Sequence, residues 1–362
     1  MSLLAAYRAT GADLPFGDLL RAHPGVAMEG YFWRFTDVVA GRVAIALIGV
    51  NRDARGASWA TVAVAAHPGG FLRSQAMPEG EADAARLGVR AGEAFDAGPD
   101  RLRVDLGADA RLEVRLAAVL PWGRRGLGGS SLFQVVPNLA HCWHPWLLGG
   151  RAVGRAVLGG QVWDLDGAAV YAEKTWGRGG FPPAWWWGQA QGFDEPGACV
   201  AFAGGVIDPG PLRTEVTAIV VRLPGGRVIR IGDPLVSPVR AHVADERWLL
   251  SGRGALWGVE VEGMAPLGAA HVLPVPLPAE RRNVAGALEH LAGRLRVVVR
   301  RRGRVVWHGE SSLAALEHGG IERARAEAGR RGAPDASAVP PLTADPSGPW
   351  SLPAPPTARP GA

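Results

Sequence analysis

The chain has 362 residues, of which 48% are hydrophobic and 20% are charged, and this balance excludes a protein that is disordered throughout. Its apolar runs, such as 43–50 and 59–66, are much shorter than the roughly 20 residues that a membrane-spanning helix needs. The formal net charge is +5, but the basic residues are all arginine except Lys174, which indicates a codon bias more than a nucleic-acid partner.

Short apolar or alternating runs, broken by Gly, Pro, Asn and Asp, follow one another along the chain to about residue 320. This pattern is typical of many short β-strands and predicts an all-β fold. The clearest predicted strands, in chain order, are 42–50, 58–65, 102–106, 112–119, 214–223, 295–299 and 304–308. Turns are predicted at 68–70, 224–226 and 302–303, and the last two are spaced as in β-hairpins.

Two segments have apolar residues at helical spacing. One is 279–291, which places Leu288 and Leu291 on one face of a helix, and the other is a basic segment at 321–331. We expect a short helix at each. The arginine-rich run 294–304 alternates with apolar residues, which favours a β-ribbon with one solvated face over a phosphate-binding site.

The predicted strands extend over more residues than one sandwich or barrel usually holds, so two β-domains are expected. We place the boundary near residue 180, with an N-terminal domain at 1–180 and a C-terminal domain at 181–325. Towards the C-terminus the sequence becomes rich in Pro, Ala, Ser and Thr, a composition that buries too little apolar surface to fold. We therefore expect a disordered tail at 326–362.

Tryptophan is concentrated in one part of the chain, since eight of the 14 tryptophans lie between Trp122 and Trp187. Large aromatic side chains fill the cores of β-barrels, and this structural explanation holds for most single tryptophans. Indole rings also attract positive charge through their quadrupole, so the same cluster favours a pocket for an apolar ligand or for a carbocation. Both interpretations stay open at this point.

Titratable groups lie among these tryptophans at 141–146 and at 171–177. Side chains alternate along an extended strand, so Tyr171 and Glu173 share one face and Lys174 lies on the other. Burial beside aromatic rings disfavours a charged carboxyl, so such a Glu173 would have a raised pKa and would serve as a general acid near neutral pH. The alternative is a solvated or hydrogen-bonded residue without a catalytic role.

The first of these stretches carries possible metal ligands. A site formed by His141, Cys142 and His144 is disfavoured, because His141 and Cys142 would point to opposite faces and no second ligand cluster has suitable spacing. We therefore expect no metal site. The two cysteines, Cys142 and Cys199, allow one disulfide at most.

The segment around Glu173, YAEKTWGRGGFPPAWWWGQ, resembles the tocopherol cyclase family, whose members carry Tyr-x-Glu-Lys-Asn-Trp-Gly, then Phe-Pro, then an aromatic run that ends in Gln. Thr175 stands where the family usually has Asn, and Ala190-Gln191 stands where plant members tend to have Cys-Asn. The resemblance covers roughly 25–320, and its other stretches are EGYFW at 29–33, WHP at 143–145 followed by Gly149-Gly150, and SSLAALEHGG at 311–320.

The resemblance implies a fold of two lipocalin-like β-barrels side by side, which carotenoid hydratases and some pericyclases share. In the carotenoid hydratases a His-x-Trp pair and a Tyr-x-Asp pair are functional, and similar pairs here imply that Glu173, Tyr171, His144 and Trp146 are catalytic. The residues implied to bind or shape the substrate are Lys174, Trp176, Trp185, Trp187, Gln189, Glu29, Tyr31 and Trp33.

The reaction implied by the resemblance is acid-catalysed cyclisation of a prenylated quinol or related isoprenoid, without a cofactor. Glu173 would protonate a trisubstituted alkene to give a tertiary cation, which a phenol oxygen or water then captures. Tyr171 and His144 would hold or relay the proton. Lys174 would orient a carboxylate or a substrate oxygen, or form a structural salt bridge between the barrels. Two other functions stay open: hydration of an isoprenoid alkene, and a lipid carrier that uses the same cavity without chemistry.

The expected partner is therefore a hydrophobic small molecule, an isoprenoid or a prenylquinol, and not a nucleic acid. A poorly soluble substrate and the net charge of +5 are compatible with peripheral contact with a membrane, although no strongly amphipathic segment indicates it. The N-terminal residues lack the pattern of a secretory signal, so the cytoplasm is the expected compartment. The sequence contains no indication of an oligomeric state.

Overall fold

The structure, a computed structural model, describes residues 23, 25–122, 129–131, 141–207, 214–332 and 336–338. These residues form two antiparallel sheets of 13 and 11 strands, called here the first and the second sheet, which confirms the predicted all-β fold. Among the described residues, no helix has both the length and the apolar character needed to span a membrane. Most of the predicted tail at 326–362 lies outside the described residues.

The first sheet has the strand order β4-β3-β2-β1-β13-β11-β9-β8-β7-β6-β5, with β10 paired to β13 and β12 paired to β11. Its strands are β1 Met28–Asp37, β2 Arg42–Arg52, β3 Ser58–His67, β4 Phe71–Met77, β5 Glu81–Ala82, β6 Val89–Ala91, β7 Phe95–Ala97, β8 Arg101–Asp105, β9 Ala110–Ala117, β10 His141–Leu147, β11 Arg151–Leu158, β12 Gln161–Asp164 and β13 Ala169–Gly177.

The second sheet has the strand order β17-β16-β15-β14-β23-β22-β20-β19-β18, with β21 and β24 paired to β22. Its strands are β14 Trp185–Ala190, β15 Cys199–Ile207, β16 Thr214–Arg222, β17 Val228–Ile231, β18 Val239–Ala244, β19 Arg247–Arg253, β20 Trp257–Met264, β21 His271–Leu277, β22 Arg282–Arg301, β23 Arg304–Gly319 and β24 Ala336–Ala338. Two 3-10 turns, Leu267–Ala269 and Pro278–Glu280, and one helix, α1 Ile321–Arg330, complete the described elements.

The sequence pattern of each strand follows from how many of its faces are covered. Along β9 buried and exposed residues alternate strictly, so one face meets the interior of the first sheet and the other meets solvent. Nearly every residue of β2 and β3 is buried, because both faces of these strands are covered. Val43 and Ile45 pack against Leu291 of the second sheet, whereas Ala44 and Ala46 lie in the core of the first sheet. The two sheets therefore meet along one face of each.

The helix predicted at 279–291 is wrong. Only Pro278–Glu280 forms a helical turn, and β22 begins at Arg282. All residues from Asn283 to Leu291 are buried, with one face of the strand towards the first sheet and the other towards α1. A strand that is buried on both faces has no alternation of polar and apolar residues. The spacing of its apolar residues then also fits the period of a helix.

Other predicted elements agree with the structure. The predicted strands at 42–50, 58–65 and 214–223 correspond to β2, β3 and β16, and the basic segment predicted as a helix forms α1. The turn at 224–226 joins β16 to β17, and the turn at 302–303 joins β22 to β23. Both hairpins were expected from their turn residues.

Arg34 joins the two sheets through hydrogen bonds. Its side chain is fully buried on the face of β1 that meets the second sheet. The guanidinium donates to Thr36 Oγ1 at 2.7 Å, to Gln189 Oε1 at 3.1 Å, and to the carbonyl oxygens of Leu291 at 2.8 Å and Leu313 at 2.5 Å. Burial lowers the pKa of Arg34 to about 10, so the side chain stays charged at neutral pH.

Removal of this link should destabilise the protein. We expect Arg34→Met to reduce the free energy of unfolding by about 3 kcal/mol, because four acceptors lose a charged donor at a buried site. Urea unfolding followed by tryptophan fluorescence measures the change. The matched control is Arg115→Met at an exposed position of β9, which should change the stability by less than about 0.5 kcal/mol. Equal stability of the two variants would contradict the role given to Arg34.

Candidate functional site

A cavity of about 220 Å³ lies between the two sheets. An engineered protein cavity of about 150 Å³ holds benzene, so this one has room for an aromatic ring and several further carbon atoms. Its lining is largely aromatic and aliphatic and comes from β1, β2, β10 and β13 of the first sheet and from β14–β16 and β21–β23 of the second. Such an apolar cavity with a few polar groups is typical of a site for a small hydrophobic molecule.

Glu173 is the carboxyl group that the first sheet presents to this cavity. Its carboxyl oxygen Oε2 accepts three hydrogen bonds, from the Tyr171 hydroxyl at 2.6 Å, from Trp143 Nε1 at 2.8 Å and from Trp187 Nε1 at 2.9 Å. Tyr171 lies two residues earlier on the same strand, so the alternation of β13 places its side chain on the same face, as predicted. Three donors thus fix the orientation of this one carboxyl group.

The pKa of Glu173 is raised to about 7. Burial is the main cause, because the side chain is only 8% exposed and its charged form loses hydration. The three donors act in the opposite direction, since a hydrogen bond to Oε2 stabilises the carboxylate. Among the described residues no group donates to Oε1, so the proton of the acid form is placed on Oε1. The result is an acid that is half protonated at neutral pH.

Aromatic rings surround this acid. Phe32 lies directly opposite Glu173 in the pairing of β1 with β13, and its ring meets that of Trp187 edge to face at 5.3 Å. On another side of the cavity Phe181 stacks on Trp185, at 4.8 Å between ring centres, and contacts the tilted ring of His141 at 4.9 Å. The electron-rich faces of such rings stabilise a cation that forms in a site without water.

The second sheet contributes two further carboxyl groups, those of Glu289 and Glu317. They lie directly opposite each other in the pairing of β22 with β23, and Trp187 is the partner of Glu317 on β14. Burial raises the pKa of both groups; the charge of Glu317 raises that of Glu289 further, and the charge of Glu173 raises both. Carboxyl groups from both sheets therefore face the cavity.

Lys174 lies on the other face of β13, as the alternation predicted. Its ammonium is fully buried and lies 3.6 Å from Glu29 Oε1, with the rings of Tyr31 and Trp176 at 5.2 Å and 5.7 Å. Glu29 and Lys174 both belong to the first sheet, so this ion pair does not join the two sheets. Burial raises the pKa of Glu29, and the charge of Lys174 opposes that shift.

The structure separates His144 and Trp146 from Glu173. In the pairing of β10 with β13, His144 lies opposite Lys174, and directly opposite residues share a face. His144 stacks on Trp122 at 5.1 Å, and burial lowers its pKa to about 3. Trp146 lies in the core of the first sheet. The predicted catalytic role of these two side chains is therefore not part of the function proposed below.

Of the remaining predicted binding residues, some line the cavity and others are buried away from it. Trp185 and Trp187 line the cavity, and Tyr31 contributes to its wall, while Trp33 lies in the core of the first sheet. Gln189 is fully buried, and its Oε1 accepts a hydrogen bond from Arg34. Gln189 thus supports the contact between the sheets and does not line the cavity.

The sequence reasoning missed several groups of this site. Trp143 occupies the place expected for His144 beside the acid, because the register of β10 with β13 cannot be read from the sequence. Glu289 was missed because its segment was predicted to form a helix. Glu317 lies in the SSLAALEHGG stretch, where an acidic residue directly after an apolar run and two residues before Gly319 was an available indication. A Cβ at Gly319 would lie 1.7 Å from Trp185 Cε2, so glycine gives this indole the space to reach Glu317.

No group of three or more His, Cys, Asp or Glu side chains arranged to hold a metal ion occurs among the residues that the structure describes. His141 and Cys142 point to opposite faces of β10, towards the cavity and towards Trp176 respectively, as the alternation predicted. Cys142 and Cys199 are both free thiols, and both are buried.

Comparison with known proteins shows a family whose model matches most of this chain. The model of a family described as tocopherol cyclase-like matches residues 78–320. A probable chloroplastic tocopherol cyclase of Oryza sativa subsp. japonica is 26% identical over 226 residues, which are 58% of this chain and 47% of the rice protein. The chain thus spans about half the length of this curated relative.

Solved structures show the fold. The crystal structure of CghA with Sch210972 superposes with a TM-score of 0.55 at 12% identity, covering 82% of this chain and 89% of CghA. Kievitone hydratase from Nectria haematococca has a TM-score of 0.47 at 10% identity, with 81% of this chain and 88% of the hydratase covered. The expected fold of two lipocalin-like β-barrels is confirmed by the likeness to CghA.

The indole protons of Trp143 and Trp187 should report the ionisation of Glu173. We expect their Nε1–H resonances to shift with a common midpoint near pH 7, because both groups donate to the same carboxyl oxygen, whose pKa is raised to about 7. Two-dimensional NMR of the ¹⁵N-labelled protein over pH 4–9 measures the midpoint. Trp186, which donates to Thr217 Oγ1, is an internal control without this shift. A midpoint near 4.5, the ordinary value for Glu, would contradict the buried acid.

Proposed function

Because the chain belongs to the tocopherol cyclase-like family, we propose that it is an enzyme that cyclises a prenylated quinol or a related isoprenoid by protonating an alkene. The observation that carries the proposal is the Glu173 carboxyl, which is buried at an aromatic cavity with one oxygen held by three donors and a pKa of about 7. A carrier needs only apolar walls. Here the cavity also contains a buried carboxyl group, whose charged form loses hydration, and such a group in a cavity is a candidate for catalysis.

Glu173 is the proton donor in this proposal. The proton leaves Oε1 for the less substituted carbon of a trisubstituted alkene, and the other alkene carbon becomes a tertiary cation. As the proton leaves, negative charge develops on the carboxylate, and the hydrogen bonds from Tyr171, Trp143 and Trp187 to Oε2 become stronger. These donors therefore stabilise the transition state more than the ground state, which is the requirement for catalysis.

The aromatic walls protect the cation until it is captured. Phe32, Trp143 and Trp187 lie around the carboxyl group, so the positive charge forms against ring faces and close to the new carboxylate. A phenol oxygen of the same substrate then forms a C–O bond to the cation and loses its proton. The product is a cyclic ether with the same mass as the substrate.

The size of the cavity limits which part of the substrate is held. About 220 Å³ holds a quinol ring and the adjacent isoprene unit, which are the two groups that react. The distal part of a long prenyl chain would extend from this volume. A quinol with a short prenyl chain should therefore suffice as a test substrate.

The decisive experiment is incubation of the purified protein with a short-chain prenylated hydroquinone, followed by chromatography and mass spectrometry. We expect the wild type to form an isomer of unchanged mass, and Glu173→Gln to lose at least about 100-fold in rate, because the variant has no proton to donate. Glu310→Gln, at an exposed position of β23, is the matched control and should keep full activity.

Other results would indicate a different mechanism or a different function. Equal conversion by the wild type and by Glu173→Gln would remove Glu173 from the mechanism. A product heavier by one water would indicate a hydratase that uses the same cation. Tight binding of the quinol without any product would indicate a carrier.

The rate should also depend on pH through Glu173. Protonation of the alkene needs the acid form of Glu173, so kcat/KM should fall tenfold per pH unit well above pH 7. Tyr171→Phe removes a donor that lowers this pKa, so the fall should move to higher pH, and the maximal rate should drop about tenfold because the carboxylate is less stabilised. Rate profiles of both proteins measure the shift. A shift to lower pH would contradict the role of the Tyr171 hydroxyl.

A further inference from the structure

The mechanism above uses one of the three carboxyl groups at the cavity and leaves the Glu289–Glu317 pair without a function. The two residues belong to neighbouring antiparallel strands and lie directly opposite each other, so their side chains share the face that meets the first sheet. Both line the cavity that contains Glu173. Glu317 is partly exposed, whereas Glu289 is only 1% exposed.

The contacts of the pair suit a group that gains and loses a proton. Glu317 Oε1 accepts a hydrogen bond from Trp185 Nε1, which leaves Oε2 for a second interaction. Glu289 Oε1 is fully buried and has no hydrogen-bond partner among the described residues. Arg34 is the cation whose charge acts on Glu289, and it donates its own hydrogen bonds to other acceptors. Glu289 and Glu317 occupy directly opposite positions of neighbouring strands, and the charge of Glu317 raises the pKa of Glu289. Ionisation of Glu317 therefore favours the protonated form of Glu289, so the pair carries one negative charge.

The cyclisation needs an acceptor for the phenol proton at the place where the C–O bond forms. Glu173 gives its proton to a carbon atom, and the phenol oxygen must release a proton when it bonds to the cation. Glu173 is by then a carboxylate whose Oε2 is already occupied by three donors, and it lies beside the protonated carbon. A separate base near the phenol would let the C–O bond form while the O–H bond breaks.

We propose that the Glu289–Glu317 pair is this base, with the cavity-facing Glu317 accepting the phenol proton; the inference rests on the cyclisation proposed above. The step balances: Glu173 loses one proton to carbon, the pair gains one from oxygen, and the substrate is isomerised without net proton uptake. Transfer of one proton from the pair back to Glu173, through water after product release, restores the starting state.

His141 also lines the cavity, and its ring is a poorer proton acceptor than the carboxyl pair. Burial lowers its pKa to about 4, so the ring binds a proton weakly. Its Nε2 is also in contact with the hydroxyl of Thr175. Burial and neighbouring negative charges raise the pKa of Glu289 and of Glu317. The carboxyl pair is therefore the stronger base at this site.

The test compares Glu317→Gln with the wild type in D₂O, with a short-chain prenylated hydroquinone as substrate. Protonation by Glu173 places one deuterium on the alkene carbon, so deuterium in any product reports the first step alone. We expect Glu317→Gln to keep this step, and to convert the cation into deuterated alkene isomers and tertiary alcohol, with the fraction of cyclic ether at least tenfold lower. Glu173→Gln should incorporate no deuterium above background.

Further variants make each outcome decisive. Glu289→Gln keeps the Glu317 carboxylate and should retain the cyclic ether, and Glu310→Gln should behave as the wild type. The Trp186 Nε1–H resonance, whose partner Thr217 is unchanged in every variant, verifies folding. In the wild type the Trp185 Nε1–H resonance should shift with pH as Glu317 titrates. An unchanged fraction of cyclic ether from folded Glu317→Gln would overturn the inference alone. Absence of cyclic ether from the wild type would overturn the proposed function, and the inference with it.

Discussion

Strand β13 is buried on both of its faces, and one face carries a carboxyl group and the other an ammonium group, each of which needs partners. On the face inside the first sheet, Lys174 is balanced by Glu29 and by aromatic rings. On the face towards the second sheet, no cation of the described part of the chain contacts Glu173, and its partners are the neutral donors of Tyr171, Trp143 and Trp187. Neutral donors orient a carboxyl group without forcing it to ionise, so the group remains an acid at neutral pH. Because of this difference between the two faces, the cavity contains a carboxyl group that can hold a proton.

The second sheet is as necessary to the site as the first. Trp187 reaches across from β14 to bond Glu173, and Glu289 and Glu317 face the cavity from β22 and β23. Arg34 reaches in the other direction, from β1 to the backbone of β22 and β23. The acid, its donors and the proposed base are therefore positioned by the packing of one sheet on the other, and neither sheet alone forms the site.

Much of this arrangement follows from the sequence, and its limits have physical causes. The alternation of a strand placed Tyr171 with Glu173 and Lys174 opposite them, because side-chain direction depends only on the local backbone. The neighbours of Glu173 depend on strand register, which is set by distant segments, and for this reason Trp143 was not distinguished from His144. Glu289 was missed because β22 is buried on both faces and lacks the alternation that identifies a strand.

The most direct test of the central claim is a crystal structure of Glu173→Gln with an unreacted prenylated hydroquinone bound. The account predicts that the trisubstituted alkene lies within about 3.5 Å of the carboxamide at position 173, with the phenol hydroxyl directed towards Glu317. A quinol bound with its polar ring against position 173 and its alkene outside the aromatic walls would contradict proton donation by Glu173.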